Sequence, residues 1–368
     1  MTNYQHWHGF DDPKYGYGRQ TTGFINHLPP GVKLDSRASV SVWNGQPQYN
    51  KGWYKGQYRA CFTMFETDKV PVEVTRYLPL FDQIIVPCDH NVELFSKYHK
   101  NVVKVQEGVD LTLFKPTQAP RLDRFQFRAG GSCWARKGID ITIAAFRKLN
   151  LPDADLRIKI SPAARDIPTN TDFGPNVYLD QGWMTDEEQI LWFAQADCFV
   201  AASRGEGWGL MPLQTIAMGI PTIVSLSTGH LEFSHLATGH IPCGTSKSFL
   251  GGNWDEPDVN ALADLMLDHY TNHTKKKAEA AKNVKGCKQF TWDIACQQLV
   301  AALPEGHLLK TKEWQPMTVD IPVRALRPII ADIGKTRYVQ KRGDIFMVTE
   351  GAYQTLHDSG AVVLAHDD

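Results

Sequence analysis

One run in this chain joins a carboxylate, three glycines and an amide at spacings that suit sugar and phosphate chemistry: Arg204-Gly205-Glu206-Gly207-Trp208-Gly209-Leu210-Met211-Pro212-Leu213-Gln214. A short apolar run, residues 198–201, precedes it; a helical pattern and a second apolar run, 222–225, follow. The order predicts a strand, a glycine-rich loop, a helix N-terminus and another strand. Gly207 and Gly209 let a ligand approach the backbone closely, flanked by Trp208 and Leu210. The unsatisfied N–H groups of a helix start favour an anion such as a diphosphate. Glu206 can accept hydrogen bonds from sugar hydroxyls. Gln214 falls about two helical turns further on, where it can meet a ribose.

Four other stretches carry candidate groups. In Gly130-Gly131-Ser132-Cys133-Trp134-Ala135-Arg136-Lys137-Gly138, two adjacent cations stand beside glycines at a helix start, again suiting a diphosphate. In Tyr15-Gly16-Tyr17-Gly18-Arg19, a glycine-bearing loop or surface turn, the glycines permit close approach and Arg19 adds charge. Glu66 and Asp68 follow an apolar run and can orient hydroxyls or cap the next helix. His230 follows residues 222–225, where it faces a donor or is held within its loop. No Asp-x-Asp stands out as a metal site, and none of the seven cysteines forms a Cys-x-x-Cys pair. The expectation is free, largely buried thiols, no metal and no cofactor.

Apolar runs at 59–65, 83–87, 102–105, 125–130, 156–160, 198–201 and 222–225 alternate with helical patterns at 139–149, 186–196 and 213–218. Short apolar strands separated by helices predict an α/β fold with parallel sheets covered on both faces. The proline-bearing stretch 114–120 marks a boundary. The expected units are 1–116, 117–304 and a small α+β appendage, 305–368. Within the second unit, 292–303 reads as a helix with Thr291 as its N-cap. In the appendage, β-like runs fall at 337–339, 345–348 and 361–364, with a helical pattern at 352–358.

These stretches resemble the retaining GT-B glycosyltransferases of the family 4 type, the glycosyl transferases group 1. Residues 206–221 look like that family's E-x7-E motif, with Glu206 in the place of the first acid and Gln214 replacing the second. The resemblance covers about residues 10–303, including the segments Thr63-Met64-Phe65-Glu66-Thr67-Asp68 and Glu107-Gly108-Val109-Asp110. It implies two Rossmann-like units facing across a cleft. It also implies a metal-independent transfer from a nucleoside-diphosphate sugar to an acceptor hydroxyl with retention. Glu206 would contact the donor sugar; Lys137, with Arg136, would hold the diphosphate. Ser132 lies about where the family carries a further base. The first unit is short for the family, and acceptor recognition commonly lives there.

The acceptor stays open: a glycan, a lipid-linked group, a protein or DNA. Compact chains of this kind also resemble bacteriophage transferases, some of which glycosylate hydroxymethylated pyrimidines in DNA. A net charge of −1 gives nucleic acid little support. The stretch 43–59 mixes Trp43, Tyr49, Trp53, Tyr54 and Tyr58 with Lys51, Lys55 and Arg59, either a stacking surface or a hairpin packed on the core. An alternative of another class is a non-catalytic sugar-nucleotide-binding module. A sugar phosphorylase shares the architecture, but no lysine-cofactor signature supports it. At 42% apolar and 21% charged, with no basic leader and no run near the ~18 apolar residues of a membrane span, the chain is expected to be cytoplasmic.

Overall fold

The computed structural model describes residues 2–310 except 51–52, 163, 165 and 169–172; beyond 310 it describes the backbone of several strands and the side chains of Val348 and Leu356. A first sheet contains β1 (Asn3–Gly9), β2 (Val32–Leu34), β3 (Val40–Asn44), β5 (Tyr58–Phe62), β6 (Gln83–Val86) and β7 (Val102–Lys104), in the order β2-β1-β3-β5-β6-β7. Between β3 and β5, Trp53–Tyr54 forms the two-residue β4, paired outside this sheet. The second sheet contains β8 (Phe125–Gly131), β9 (Ala154–Ile160), β10 (Val177–Gln181), β11 (Cys198–Ala201), β12 (Thr222–Ser225) and β13 (Gly239–Ile241), in the order β10-β9-β8-β11-β12-β13. Every pairing within both sheets is parallel. The strands β3, β6, β11 and β12 are buried along their whole length, which is why β6, β11 and β12 read as apolar runs; β3, Val-Ser-Val-Trp-Asn, carries polar residues and was not read as one.

The helices are α1 (Gly16–Asn26), α2 (Val72–Thr75), α3 (Asp89–Phe95), α4 (Ile139–Leu149), α5 (Asp186–Ala194), α6 (Leu210–Ala217), α7 (Val259–Thr271), α8 (His273–Asn283) and α9 (Trp292–Ala302). Helix α4 buries Ile139, Thr142, Ile143 and Phe146, the three-and-four spacing of a one-sided helix. Helix α5 starts at a capping box: Thr185 accepts from the Glu188 N–H, and the Glu188 side chain accepts from the Thr185 N–H. Thr291 caps α9 as expected.

Packing crosses the expected unit boundaries in two places. Helix α9, assigned above to the second unit, buries Trp292, Ala295, Cys296 and Leu299 in one apolar cluster with Phe24 of α1 and Val40, Val42 and Phe62 of the first sheet. The chain then runs on along that sheet, with the Tyr4 N–H on Gly306 O and the Ser39 N–H on His307 O. The appendage therefore does not start as a separate body: Pro316–Met317 even pairs with β4. Its strands at Thr336–Gln340, Ile345–Thr349 and Val362–Leu364 match the three β-like runs. The helical pattern at 352–358 lies outside the described residues, apart from Leu356.

Residues 43–59 are not a hairpin. β3 and β5 are parallel neighbours, with Trp43 opposite Cys61. Trp43 is buried in the core, whereas Tyr49 is 57% exposed.

Parallel strands bring their carboxyl ends to one edge, and ligands of such sheets bind there. On the second sheet that edge carries residues 132–138, 202–209 and 226–230, after β8, β11 and β12. On the first sheet it carries residues 63–68 after β5 and Glu107 beyond β7.

Candidate active site

Glu206 is buried, and four contacts hold it, three of them on its carboxylate. Lys137 Nζ donates to Oε1 at 2.6 Å, and the Ser203 hydroxyl donates to the same oxygen at 2.6 Å. Arg136 Nη1 donates to Oε2 at 3.3 Å and to Gly205 O at 2.7 Å. The fourth contact is on the backbone: the Glu206 N–H donates to Thr228 Oγ1 at 2.7 Å. Burial alone would raise the pKa of this carboxyl, but Lys137 and Arg136 hold it well below the ordinary range. Glu206 is thus ionised and preorganised.

Gly138 sets Lys137 in place. It is left-handed (φ 60°), and a Cβ there would lie 1.8 Å from Ala202 O. Only glycine lets the chain turn from Lys137 straight into α4 against β11. Arg136 also approaches Glu66 of the first unit, with 3.5 Å between Nη1 and Oε1. The cation pair therefore bridges acids from both halves of the chain.

The glycine loop is held by contacts rather than left open. A Cβ on Gly207 would meet the Met64 side chain at 2.0 Å, and one on Gly205 would meet Glu66 O at 2.1 Å. Gly209 is left-handed (φ 117°) and faces His230 and Phe233. Trp208 is core, packed with Phe233 and Phe290, and Leu210 is half-buried against the same cluster. Helix α6 starts at Gly209 with no side-chain cap, so its amino end stays available to an anion.

His230 is fully buried, with Nδ1 3.1 Å from Ser225 Oγ and Nε2 without a partner among the described residues. Burial drives its pKa down to about 4, so it is neutral at pH 7. Gln214 is buried on α6, and its Oε1 accepts from the Gln189 side-chain amide at 3.0 Å. Its first partner is therefore in α5. Ser132 is exposed at the mouth of the site.

The first unit's candidates are placed differently from expectation. Gly16 and Gly18 form no loop: they are in the first turn of α1, and the bare face of Gly18 is pressed on Asp12, where a Cβ would lie 1.8 Å from the carbonyl oxygen. Arg19 turns to α5, pairing with Asp186 at 2.7 Å. Asp68 accepts from the backbone N–H and side-chain amide of Asn253, each at 2.7 Å, clasping the two units. Beside that clasp, Glu232 accepts from Lys104 at 3.2 Å and from the Asp89 N–H at 2.7 Å.

Glu107 was legible only as part of a segment of the family resemblance, yet it is a buried carboxyl beside the Glu206–Lys137 pair. Gln20 Nε2 donates to it at 3.2 Å. Burial and the Glu206 charge push its pKa up to about 8. Its position just after a sheet strand, at the ligand edge, was the available clue. The role of Ser203 was missed as well, because a hydroxyl in a loop carries no distinctive spacing.

Among the described residues no group of three or more His, Cys, Asp or Glu side chains is arranged to hold a metal, and no helix is long and apolar enough to cross a membrane.

Comparison with known proteins agrees with this geometry. Residues 127–250, which hold Arg136, Lys137, Glu206 and His230, match the family described as glycosyl transferases group 1. The chain is 23% identical over 290 residues to mannosylfructose-phosphate synthase of Agrobacterium fabrum, covering 70% of this chain and 56% of that protein. It is 24% identical over 237 residues to D-inositol 3-phosphate glycosyltransferase 1 of Catenulispora acidiphila, covering 58% and 54%. The chain thus spans little more than half the length of these curated relatives. Among solved structures, Anabaena HepE in complex with UDP and glucose superposes with a TM-score of 0.60 at 10% identity, over 82% of this chain and 99% of that one. Sucrose-phosphate synthase from Thermosynechococcus elongatus superposes with a TM-score of 0.54 at 16% identity, over 72% of each chain. The two parallel sheets are those of the GT-B fold.

Proposed function

We propose that this chain is a glycosyltransferase that moves a sugar from a nucleoside-diphosphate donor to an acceptor hydroxyl with retention of configuration. One observation carries the reading: a buried, ionised carboxylate, Glu206, lies 2.6 Å from Lys137 Nζ, with Arg136 beside it, at the ligand edge of a nucleotide-fold sheet. The group 1 match over this edge and a fold neighbour holding UDP and glucose support it.

The residues divide the work by charge. The bond from the anomeric carbon to the diphosphate breaks with its electron pair going to the phosphate oxygen. Arg136, Lys137 and the amino end of α6 meet that growing negative charge. Glu206 accepts hydrogen bonds from the donor sugar's hydroxyls and fixes its ring. The acceptor oxygen then bonds to the anomeric carbon from the face the diphosphate leaves, and its proton passes to the departing phosphate. Neutral His230 lines the site without adding charge. No metal is required in this scheme, because two side-chain cations already face the leaving group.

The test is a screen of nucleoside-diphosphate sugars against sugars, sugar phosphates, lipid-linked acceptors and hydroxymethylated DNA, reading nucleoside diphosphate release and product. Release that Glu206→Ala abolishes supports the reading. Tight donor binding with no release, with or without acceptors, overturns it in favour of a binding module.

A further inference from the structure

Thr228 is left-handed, with φ 40°. A β-branched residue is strained there, and such strain persists only where surrounding contacts over-determine it. Those contacts lead to the loop that carries Glu206. Thr228 Oγ1 accepts from the Glu206 N–H at 2.7 Å, and the next residue, Gly229, donates its N–H to Glu206 O at 3.0 Å. The Glu206 peptide is therefore gripped at both ends by one turn.

Neighbouring hydroxyls repeat the pattern. Ser225 Oγ donates to Ser203 O at 2.7 Å, and Ser227 Oγ donates to Arg204 O at 3.3 Å. All of these residues are buried. A Cβ at Gly229 would fall 2.6 Å from Gly207 O, so the turn is pressed directly on the glycine loop.

We infer that Thr228 is a positioning residue for the donor site: its hydroxyl, held in a strained turn, fixes the Glu206 backbone so that the carboxylate stays aimed at the bound sugar. Its role in turnover rests on the function proposed above; its grip on Glu206 does not. The strain is retained because the hydroxyl must reach the amide from this side of the loop. A glycine would adopt the same turn more readily but offers no acceptor.

Three variants test this in the full chain. Thr228→Gly and Thr228→Val remove the hydroxyl, the first also relieving strain; Thr228→Ser keeps it. In parent and Thr228→Ser, the Glu206 amide should exchange its hydrogen slowly; in Thr228→Gly and Thr228→Val, at least about tenfold faster. With a donor that turns over, kcat/KM should fall roughly 10- to 100-fold in Thr228→Gly and recover in Thr228→Ser. The melting temperature of Thr228→Gly should stay within about 4 °C of the parent. Unchanged Glu206 exchange in both hydroxyl-free variants overturns the proposal, as does full kcat/KM in Thr228→Gly. Absence of donor turnover in the parent would instead overturn the proposed function and leave the exchange result to decide for Thr228.

Discussion

Lys137 Nζ sits 2.6 Å from Glu206 Oε1, and neither side chain is more than 18% exposed. Glu206 therefore occupies the cation that the proposed diphosphate needs, and donor entry makes Lys137 share its charge between carboxylate and phosphate. Removing either partner has unequal consequences. Lys137→Met leaves a buried carboxylate with Arg136 as its nearby cation and the Ser203 hydroxyl as its other donor, and breaking such a pair costs about 3–5 kcal/mol. Glu206→Gln keeps the shape and removes the charge, so it should cost less stability. Both should lower kcat roughly 100-fold or more. Thermal melts and steady-state kinetics on the two variants check the asymmetry; equal melting points would contradict it.

The two buried carboxyls give opposite pH dependences. Glu206 has its pKa depressed by folding, so its contribution is present above its unfolded value of 4.5 and is lost as pH falls below it. Glu107 has its pKa raised to about 8 from 4.5. Between those values the folded chain keeps a proton that the unfolded chain has released. Stability then declines as pH rises from about 4.5 to about 8, by on the order of 2–4 kcal/mol. Glu107→Gln should remove that decline, so its advantage in melting temperature over the parent should grow from pH 5 to pH 9. A constant difference across that range would refute the assignment.

Arg19 is bonded to Asp186, from α1 of the first unit to α5 of the second. If that pair is its main engagement, Arg19→Ala and Asp186→Ala should be nearly equivalent, and the double variant little worse than either. Being half-exposed, the pair should be worth no more than about 1 kcal/mol in a double-mutant cycle. A rise in donor KM for Arg19→Ala with none for Asp186→Ala would put Arg19 on the diphosphate instead.

Gly138 should tolerate no side chain. A Cβ would meet the Ala202 carbonyl oxygen at 1.8 Å, in a left-handed residue next to Lys137. Gly138→Ala should lose several kcal/mol, on the order of 2–4, and should weaken donor binding by displacing Lys137. Urea titration together with donor calorimetry reads both effects.

The second half was the more legible in sequence. Helix Ile139–Leu149 and strands Cys198–Ala201 and Thr222–Ser225 fall where the pattern placed them, because each is either one-sidedly apolar or wholly buried. Glu206, Lys137 and Arg136 were found because glycines and charges cluster beside those elements. In the first half, β1 has the sequence Asn-Tyr-Gln-His-Trp-His-Gly, too polar to read as a strand. It pairs nonetheless, because β2 and β3 flank it on both sides. Gly16 and Gly18 suggested a loop, since glycine is rare inside helices; here Gly18 is required by the approach of Asp12. The roles of Arg19 and Asp68 were hidden because their partners, Asp186 and Asn253, are well over a hundred residues away in sequence.

The return of α9 to the first sheet changes what kind of joint connects the halves. The chain passes between them twice, and the passages lie side by side: Val109 donates to Phe290 O at 2.8 Å, Val109 bridges Thr291 in parallel, and Gln106 bonds both Gln289 and Gln298. Two segments bonded side by side tie the halves as a strap, where a single linker would tie them by one thread. A second half cut out at residue 117 would lose this strap and bare the apolar face of α9, so neither half is a free-standing body.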